Sequence, residues 1–424
     1  MNSTKKDIFY AKVRFWLDKI SFIDIKKFGV PAGIIIFSTV TFIHLTAAAF
    51  QTNAVDFYAF YTGATLLITD KDNLYNPRVQ YETQERLFQK DYKYETGFMA
   101  FINSPLSAAI YVPFLLIPPR IAEKAAQALT LAVILWTVFR LYRFHKIKFL
   151  SWTTFFVASF YPIYGSVHLG QIGTLIFLVV AEMYMAFMEK KTVKLGILSS
   201  LLFFKYQYLP LAFLIFAIYE DRKKFIKVAG PCILLLALIN YLLMGNGLLT
   251  QYVSLMREYV STPGNFGMEY KFGMDIYSLL AVINEGFKNS PESIMGVGIL
   301  ALFIQTGFFI FLLKKENSYT HGSDIFYFSL ILSLVMTPHS MPADFIFLLI
   351  PVIGLLPRIK KVWFYAVTAI TLSFFFYFSA FGWQWTHTIL LLFYLPLLAL
   401  TAQKNPGFIG QKVHKAIARE NPII

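Results

Sequence analysis

The sequence predicts an all-α polytopic membrane protein, and three observations lead to that fold class. Hydrophobic residues make up 57% of the 424 residues, charged residues only 15%, and the mean hydropathy is +0.57; soluble domains are usually less apolar and more charged. Several apolar runs approach or exceed the roughly 18–20 residues that a helix needs to cross the hydrocarbon core. The single cysteine, Cys232, lies inside one of these runs, which leaves no material for a disulfide framework or a cysteine-based metal cluster.

The net charge of +14 has a topological explanation. Lysines and arginines cluster in short patches between the apolar runs, as the positive-inside rule expects of cytoplasmic loops. No RNA- or DNA-binding motif accompanies them, so we expect no nucleic-acid partner. The pattern predicts an integral, multi-pass protein of the plasma (inner) membrane, in contact with membrane lipid and with both termini in the cytoplasm.

Residues 1–27 and 403–424 are predicted to be cytoplasmic segments. The first carries seven lysines and arginines together with Trp16, which is typical of an amphipathic helix lying on anionic lipid. The second is a basic tail. Ala47-Ala48-Ala49 imitates a signal-peptidase site, but the preceding polar leader is long and the apolar run has about 22 residues, which favours a retained anchor.

The first crossing is predicted at residues 28–50, and it places a first outer loop at residues 51–120. Within this loop we predict short juxtamembrane helices near Phe57–Ile68 and Val79–Lys90. The sequence Asn73–Pro77 is typical of a turn between them.

The apolar run Pro105–Ile117 is predicted to be re-entrant. It has only about 13 residues and contains Pro113, so it is short for a spanning helix. The next run, residues 121–142, ends in a basic patch around Arg143 that should be cytoplasmic. Only one crossing is then allowed between the first outer loop and that patch, so Pro105–Ile117 should enter the membrane without crossing it.

About twelve transmembrane helices are predicted in total. The further crossings are placed near residues 149–167, 172–188, 193–204, 208–219, 226–244, 294–313, 324–336, 343–356, 362–380 and 387–402, with a long outer loop at 245–291. The two segments around Lys205 are short and are expected to tilt or break near Pro210. Inner segments then hold 27 of the 38 lysines and arginines, whereas 14 of the 24 acidic residues lie outside, which supports the orientation.

Asp56 is the first acidic residue after the first crossing, and it precedes a helix that is predicted to be amphipathic, from Phe57 to about Ile68. Two interpretations follow from the residues alone. The carboxylate is either an N-cap or anchor of that helix, or a functional group at the membrane surface. The residue type and position support both equally.

Lys205 is the most informative cation on the outer side. It lies among aromatic residues in a turn, against the positive-inside trend, and therefore needs an anionic partner. Snorkelling to outer headgroups is the alternative. The natural partner at that depth is the phosphate of a lipid. Arg257 and Lys271 in the long outer loop are further candidate cations of this set, although simple solvation is the favoured explanation for each of them.

Other polar residues are predicted to collect on the same side as Asp56. They are His168, Gln171, Gln207, His339 and Asp344. The two histidines are more often hydrogen-bonded turn residues than ligands. No spacing of histidines and acids resembles a metal motif, and no Walker A loop, dinucleotide fingerprint or G-x-S-x-G elbow occurs, so no metal or cofactor is expected. Glu182 lies within a crossing without an evident partner, and we leave its role open.

Taken in chain order, these motifs resemble the GT-C membrane glycosyltransferases, and more narrowly the polyprenyl-phosphate-mannose-dependent mannosyltransferases of glycosyltransferase family 87. The matching pieces are Asp56-Phe57-Tyr58, Leu74-Tyr75, Asn103-Ser104-Pro105-Leu106, Pro118-Pro119, Gly170-Gln171, Lys205, and Thr337-Pro338-His339-Ser340 with Asp344. Each piece is short, and only the ordered set, which spans about residues 54–351, is specific. Residues 28–402 would then form a GT-C transmembrane domain.

The resemblance implies an inverting transfer of a sugar, mannose above all, from a polyprenyl-phosphate donor at the outer face. Asp56 would act as general base on the acceptor hydroxyl, and Lys205 would stabilise the phosphate that leaves. His168, Gln171, Gln207, His339 and Asp344 would bind the donor phosphate or substrate. The acceptor is left open between a glycolipid, a polysaccharide and a protein, and arabinose or glucose remain alternatives to mannose.

Two other classes of function are weighed against this one. A transporter or flippase for a lipid-linked substrate would need charged groups along a path through the membrane, and only Glu182 lies deep in a crossing. A non-catalytic assembly protein would use Asp56 merely as a helix cap. The chain shows no evident internal repeat, which gives an inverted-repeat transporter no support.

Overall fold

The computed structural model describes residues 54–88, 98–149, 152–158, 160–261, 322–336 and 341–355, with single helical positions at 36, 40, 43, 47 and 307. All regular elements in these ranges are helical, and no strand occurs among them. The α-helices are α1 Val55–Thr69, α2 Pro77–Phe88, α3 Pro105–Ala109, α4 Pro119–His145, α5 Trp152–Ala158, α6 Tyr161–Leu169, α7 Gly173–Met188, α8 Thr192–Ser200, α9 Leu209–Ile218, α10 Arg222–Ser261, α11 Gly322–Met336 and α12 Leu349–Leu355. Between them lie 3₁₀ segments at Lys71–Asn73, Val112–Leu116, Leu201–Tyr208 and Pro342–Leu348.

Several sequence predictions concern residues outside the described ranges. They are the N-terminal segment 1–27, the first crossing 28–50 apart from its isolated positions, most of the loop 245–291 with Lys271, the crossings 294–313, 362–380 and 387–402, the tail 403–424, and the segment Thr337–Ser340 with His339.

Three described stretches are long and apolar enough to cross a membrane. They are Pro119–His145, Thr192–Ile218 and Arg222–Gly245, and shorter apolar helices lie at Gly173–Met188, Gly322–Leu334 and Ala343–Leu355. Helices are suited to this setting because they satisfy their backbone hydrogen bonds internally. The chain is therefore a helical membrane protein. The number of about twelve crossings and the GT-C arrangement stay predictions.

The stretch Thr192–Ile218 is a helical hairpin rather than one straight helix. A straight helix of these 27 residues would be ~40 Å long, yet the hydroxyls of Thr192 and Tyr219, at its two ends, lie 3.1 Å apart. The chain reverses at Lys205, whose φ of −133° and ψ of 76° break the helical path. The sequence predicts the same two short limbs, and each is ~20 Å long, less than the ~30 Å hydrocarbon core.

The predicted crossing at residues 149–167 is not one helix. It consists of α5 and α6, separated near Phe160, whose backbone is extended. Pro162 lies in the first turn of α6. Proline lacks an N–H and disfavours helical geometry in the residue before it, so a continuous helix is disrupted there.

The bundle has a basic end, which we define by Arg140, Lys190, Lys194 and Lys224. Arg140 and Lys194 both pair with Glu182, at 2.9 and 2.5 Å, which joins α4, α7 and α8. The first-loop helices α1 to α3 pack at the opposite end, where Ser107 bonds the carbonyl of Phe204 in the hairpin turn and Tyr111 bonds the carbonyl of Gly170 before α7. Sequential helices therefore run alternately between the two ends, as the sequence predicts for these segments.

The first-loop helices have a hydrophobic core of their own. Phe57, Tyr58, Tyr75 and Phe101 are all at most 2% exposed, and they pack with residues of α3 and α10. Helix α1 is buried almost all round from Phe57 to Ala64, so the prediction that it is amphipathic is wrong. This packing makes α1 a rigid carrier for the residue at its start.

Candidate active site

Asp56 lies in the first turn of α1, but it does not cap the helix. The N-cap position belongs to Ala54, which provides no side-chain cap. One N–H at the start of the helix is satisfied from α4, because the buried carboxylate of Glu123 accepts hydrogen bonds from Ala54 N at 3.4 Å and from the Tyr58 hydroxyl at 3.2 Å. Ala54, and not Asp56, therefore occupies the N-cap position, and the N-cap interpretation of Asp56 is wrong.

Sequence reasoning missed Glu123. Its only signal was an acidic residue, followed by Lys124, near the start of an otherwise apolar helix. Glu123 is 2% exposed, and Lys124 Nζ lies 3.7 Å from its Oε1. A buried carboxylate is retained only when it is paired or hydrogen-bonded, and here it ties α1 to α4.

The carboxyl group of Asp56 is available for chemistry. Among the described residues, it makes no direct hydrogen bond or ion pair, although charged neighbours act on it at longer range. Burial raises the pKa of Asp56 to about 6; Lys205 acts to lower it and Asp344 to raise it further. A carboxyl with a pKa near 6 is tuned for proton transfer near neutral pH.

Lys205 is buried and has a protein partner. It is 7% exposed, and its Nζ donates to Asp344 Oδ1 at 2.6 Å and to Gln171 Oε1 at 3.2 Å. It also lies 5.2 Å from the centroid of the Tyr208 ring. The sequence correctly indicated that this lysine needs an anion, and a carboxylate provides it in this structure.

Asp344 is held in place by the start of its own helical segment. Its Oδ2 accepts a hydrogen bond from Met341 N at 3.0 Å, while Oδ1 receives the lysine. The preceding residue, Ala343, accepts a hydrogen bond from Ser166 of α6 at 3.2 Å. Both carboxylate oxygens are therefore bonded, as a buried charge requires.

The turn after α6 brings Gln171 to the lysine. Gly170 has φ +60° and ends the helix, a left-handed conformation that glycine adopts without strain. Its carbonyl accepts a hydrogen bond from Tyr111 at 3.0 Å. At Gly173, a Cβ atom would lie 3.1 Å from Gln171 Oε1 and 3.5 Å from Asp344 Oδ1, so the absence of a side chain lets these groups converge.

The short helix α3 fixes the position of the hairpin turn. Ser107 of α3 donates a hydrogen bond to the carbonyl of Phe204, the residue before Lys205. Leu106 N donates to Asn240 of α10 at 3.4 Å. The predicted re-entrant run thus consists of α3 and a 3₁₀ segment packed beside the site; its entry into the membrane stays a prediction.

The comparison with protein families decides the affiliation of the chain. The model of glycosyltransferase family 87 matches residues 101–338, which is more than half of the sequence. The chain belongs to glycosyltransferase family 87. Among the curated proteins and the solved structures, none matches this chain.

Membership of family 87 makes the chain a glycosyltransferase, and the matched span contains part of the site. Gln171 and Lys205 lie within residues 101–338, whereas Asp56 and Asp344 lie outside them. Their assignment to the site therefore rests on the geometry around Lys205.

The remaining predicted site residues of this family 87 protein are placed less centrally. His168 stacks on Tyr164 with ring centroids 6.1 Å apart, and its carbonyl accepts a hydrogen bond from Gln127 at 3.1 Å. Burial lowers the pKa of His168. Gln207 directly precedes Tyr208, whose ring centroid lies 5.2 Å from the lysine Nζ, and no described contact brings Gln207 or His168 to Asp56. His339 lies outside the described residues.

Glu182 is not an isolated acid, contrary to its appearance in the sequence. Its two oxygens pair with Arg140 and Lys194 at the basic end. Within the described ranges, no three histidine, cysteine or acidic residues converge as a metal site. Independence from metal stays a prediction.

Proposed function

We propose that this protein is an inverting glycosyltransferase that moves mannose from a polyprenyl-phosphate donor to an acceptor hydroxyl at the extracytoplasmic face. The observation that carries the proposal is that Asp56, a carboxyl of raised pKa, lies within electrostatic range of the buried Lys205–Asp344 pair. Family membership supports sugar transfer. The lipid-linked donor, the sugar and the face of the membrane belong to the proposal.

Asp56 acts as the general base. The acceptor oxygen attacks the anomeric carbon, the bond from that carbon to the phosphate oxygen breaks, and the acceptor proton passes to the Asp56 carboxylate. Attack opposite to the leaving group inverts the anomeric centre, so a β-linked donor gives an α-linked product. The lack of a described hydrogen-bonding partner leaves the carboxylate free for this proton, and such a base contributes ~10²–10⁴-fold in rate.

Lys205 stabilises the phosphate that leaves with the polyprenyl chain. An ammonium group has three N–H donors, and the described contacts use two of them, on Asp344 and Gln171. The third is available to a phosphate oxygen. In a buried site such a charge-assisted contact is stronger than in water. Gln171, His168, Gln207, His339 and Asp344 are proposed to hold the donor phosphate or substrate around this contact.

The charge distribution supports an extracytoplasmic site. Arg140, Lys190, Lys194 and Lys224 lie at the end of the bundle opposite to Lys205. The positive-inside rule makes the basic end cytoplasmic. The end that carries Asp56 then faces outwards, in the plasma membrane, where a lipid-linked donor presents its sugar.

Transfer of radiolabelled mannose from polyprenyl-phosphate mannose, measured in membranes, tests the proposal. Asp56→Asn should lower transfer by ~10²–10⁴-fold, because the amide cannot accept the proton. Asp72→Asn is the matched control, since it removes an exposed carboxylate just beyond α1 and should leave transfer unchanged. Full activity of Asp56→Asn would overturn the assignment of the base.

Two further measurements identify the donor sugar and the acceptor. Polyprenyl-phosphate glucose and arabinose, offered in the same membranes, should be used less efficiently than the mannose donor. Comparison of surface glycans with and without the protein should then show which glycolipid, polysaccharide or protein loses a terminal sugar. Preference for another sugar with a requirement for Asp56 would correct the donor while retaining the mechanism.

A further inference from the structure

A depression lies at the basic end of the bundle, opposite to the end that carries Asp56. It is an open depression rather than an enclosed pocket, and its cavity volume is about 560 Å³. The lining joins the start of α8 to the start of α10, and it includes Lys190, Lys191, Lys194 and Lys224. The glycosyl-transfer mechanism uses none of these residues.

The close approach of two helices shapes this site. At Gly196 of α8, a Cβ atom would lie 3.0 Å from the side chain of Val228 on α10 and 3.3 Å from Ala229 N. Glycine therefore lets the two helices pack in near contact. The contact point lies two residues beyond Lys194 in α8 and four residues beyond Lys224 in α10, and both lysines line the depression beside it.

Positive charge is in excess around the site. Lys190 pairs with Glu220 at 2.9 Å, and Lys191 pairs with Glu189 at 2.8 Å. Lys194 shares Glu182 with Arg140. Lys224 has no ion-pair partner among the described residues. Asp221 lies nearby, where its Oδ1 accepts a hydrogen bond from Lys224 N at 3.3 Å. Five cationic side chains thus face four carboxylates, which leaves a surplus available to an anion.

The start of α8 adds donors to the same place. The N-cap residue, Lys191, makes no side-chain cap hydrogen bond, and the described hydrogen bonds give no partner to the backbone N–H of Val193 or Lys194. An uncapped helix N-terminus carries partial positive charge and favours phosphate groups. This feature agrees with the excess of lysines and indicates an anionic headgroup.

An apolar strip continues from the cations along α8. Val193 and Ile197 lie one turn apart on the same helix face, and they are 48% and 45% exposed. Both also line the cavity. A strip of this kind suits an alkyl chain and not a water-soluble anion.

We propose that this site binds an anionic phospholipid, with the phosphate on the lysines at the start of α8 and α10 and an acyl chain along Val193 and Ile197. Basic pockets between transmembrane helices at the cytoplasmic side suit such headgroups. The proposal is independent of the sugar-transfer mechanism, because the site lies at the other end of the bundle and its test measures lipid binding.

The test is a titration of the thermal unfolding midpoint of the full chain in dodecylmaltoside with dioctanoyl-phosphatidylglycerol. Dioctanoyl-phosphatidylcholine and inorganic phosphate at equal concentrations are the comparison ligands. We expect phosphatidylglycerol to stabilise the protein and the other two to have little effect. Equal stabilisation by phosphatidylcholine would overturn the charge argument, and equal stabilisation by inorganic phosphate would overturn the lipid.

Paired variants localise the binding. In Lys191→Gln/Lys224→Gln, the apparent Kd should weaken about 25-fold, since each lysine near a lipid surface contributes ~1 kcal/mol. Lys191→Arg/Lys224→Arg should retain affinity because it keeps both charges. Lys71→Gln/Arg86→Gln removes two exposed cations from the first loop and should bind as the wild type does. Unchanged affinity in the first variant would overturn the site.

Discussion

At the scale of single residues, the site is an arrangement of one base, one cation and one second acid. Asp56 is left without a direct described partner, while Lys205 and Asp344 form a buried pair at 2.6 Å. The two members of the pair have opposite effects on the pKa of Asp56, since the lysine lowers it and the aspartate raises it. Burial is the largest influence, and it keeps the pKa above its ordinary value.

The pH dependence of transfer should report the pKa of Asp56. The base works only when deprotonated, and burial raises its pKa to about 6. Activity should therefore fall about tenfold for each pH unit below 6 and level off above it. Initial rates of mannose transfer between pH 4.5 and 8 measure this acid limb of the pH–rate profile.

Two charge variants make the same pH measurement specific. Asp344→Asn removes a group that raises the pKa of Asp56, so the acid limb should move to lower pH. Lys205→Met removes a group that lowers it, so the limb should move to higher pH. Shifts in the same direction, or none in either variant, would contradict Asp56 as the titrating group, even though both variants also lose activity.

At the scale of elements, α1 is positioned by packing on both sides. Glu123 of α4 accepts a hydrogen bond from the N–H of Ala54 at its start. The ring of Phe101 packs against Gly63 so closely that a Cβ atom would lie 2.6 Å from Cγ. A helix of this kind holds Asp56 still because neither side has room to relax. The hairpin turn and the segment starting at Pro342 hold Lys205 and Asp344 in a similar way.

Substitution at Gly63 tests that packing. Gly63→Ala should lower the free energy of unfolding by about 1–3 kcal/mol, because the added methyl overlaps a buried aromatic ring. Gly247→Ala is the matched control, since a Cβ atom at that helical position meets nothing within 4 Å. It should be neutral or slightly stabilising, as glycine is a poor helix former. Thermal unfolding midpoints compare the two, and equal midpoints would contradict the close packing.

At the scale of the whole molecule, charge separates the two ends of the bundle. The basic end carries the ion pairs of Glu182 and the concave lysine-lined site, and the opposite end carries the first-loop helices and the candidate active site. Each end has chemistry that suits one side of a membrane: anionic lipid at the first and a lipid-linked sugar at the second. The positive-inside rule connects this separation to orientation.

Labelling in spheroplasts tests the orientation. In a Cys232→Ser background, which removes the only cysteine, Lys71→Cys and Lys223→Cys each introduce one exposed thiol. A membrane-impermeant maleimide should label position 71 directly and position 223 only after permeabilisation. The reverse pattern would place the candidate active site in the cytoplasm.

The sequence by itself predicted the helical membrane class, the limbs on either side of Lys205 and the need of that lysine for an anion. Apolar run lengths and charge bias are local properties of the chain, so they can be read without coordinates. Most of the predicted helix positions in the first loop follow for the same reason: α1 and α2 begin within two residues of the predicted starts.

Only the tertiary structure decided which groups meet. Asp344 is 139 residues from Lys205 along the chain, and Glu123 is 69 residues from Ala54, whose N–H it accepts at the start of α1. No local pattern encodes such pairings, because they depend on how α4, α6 and the hairpin pack. The same packing buried α1 on all sides, where its sequence had indicated an amphipathic helix, and gave Glu182 its two partners. The sequence left open whether Asp56 is a helix cap or a base, because both roles suit an aspartate at a helix start. In the structure Ala54 occupies the N-cap position and its N–H bonds Glu123, so Asp56 is not the cap.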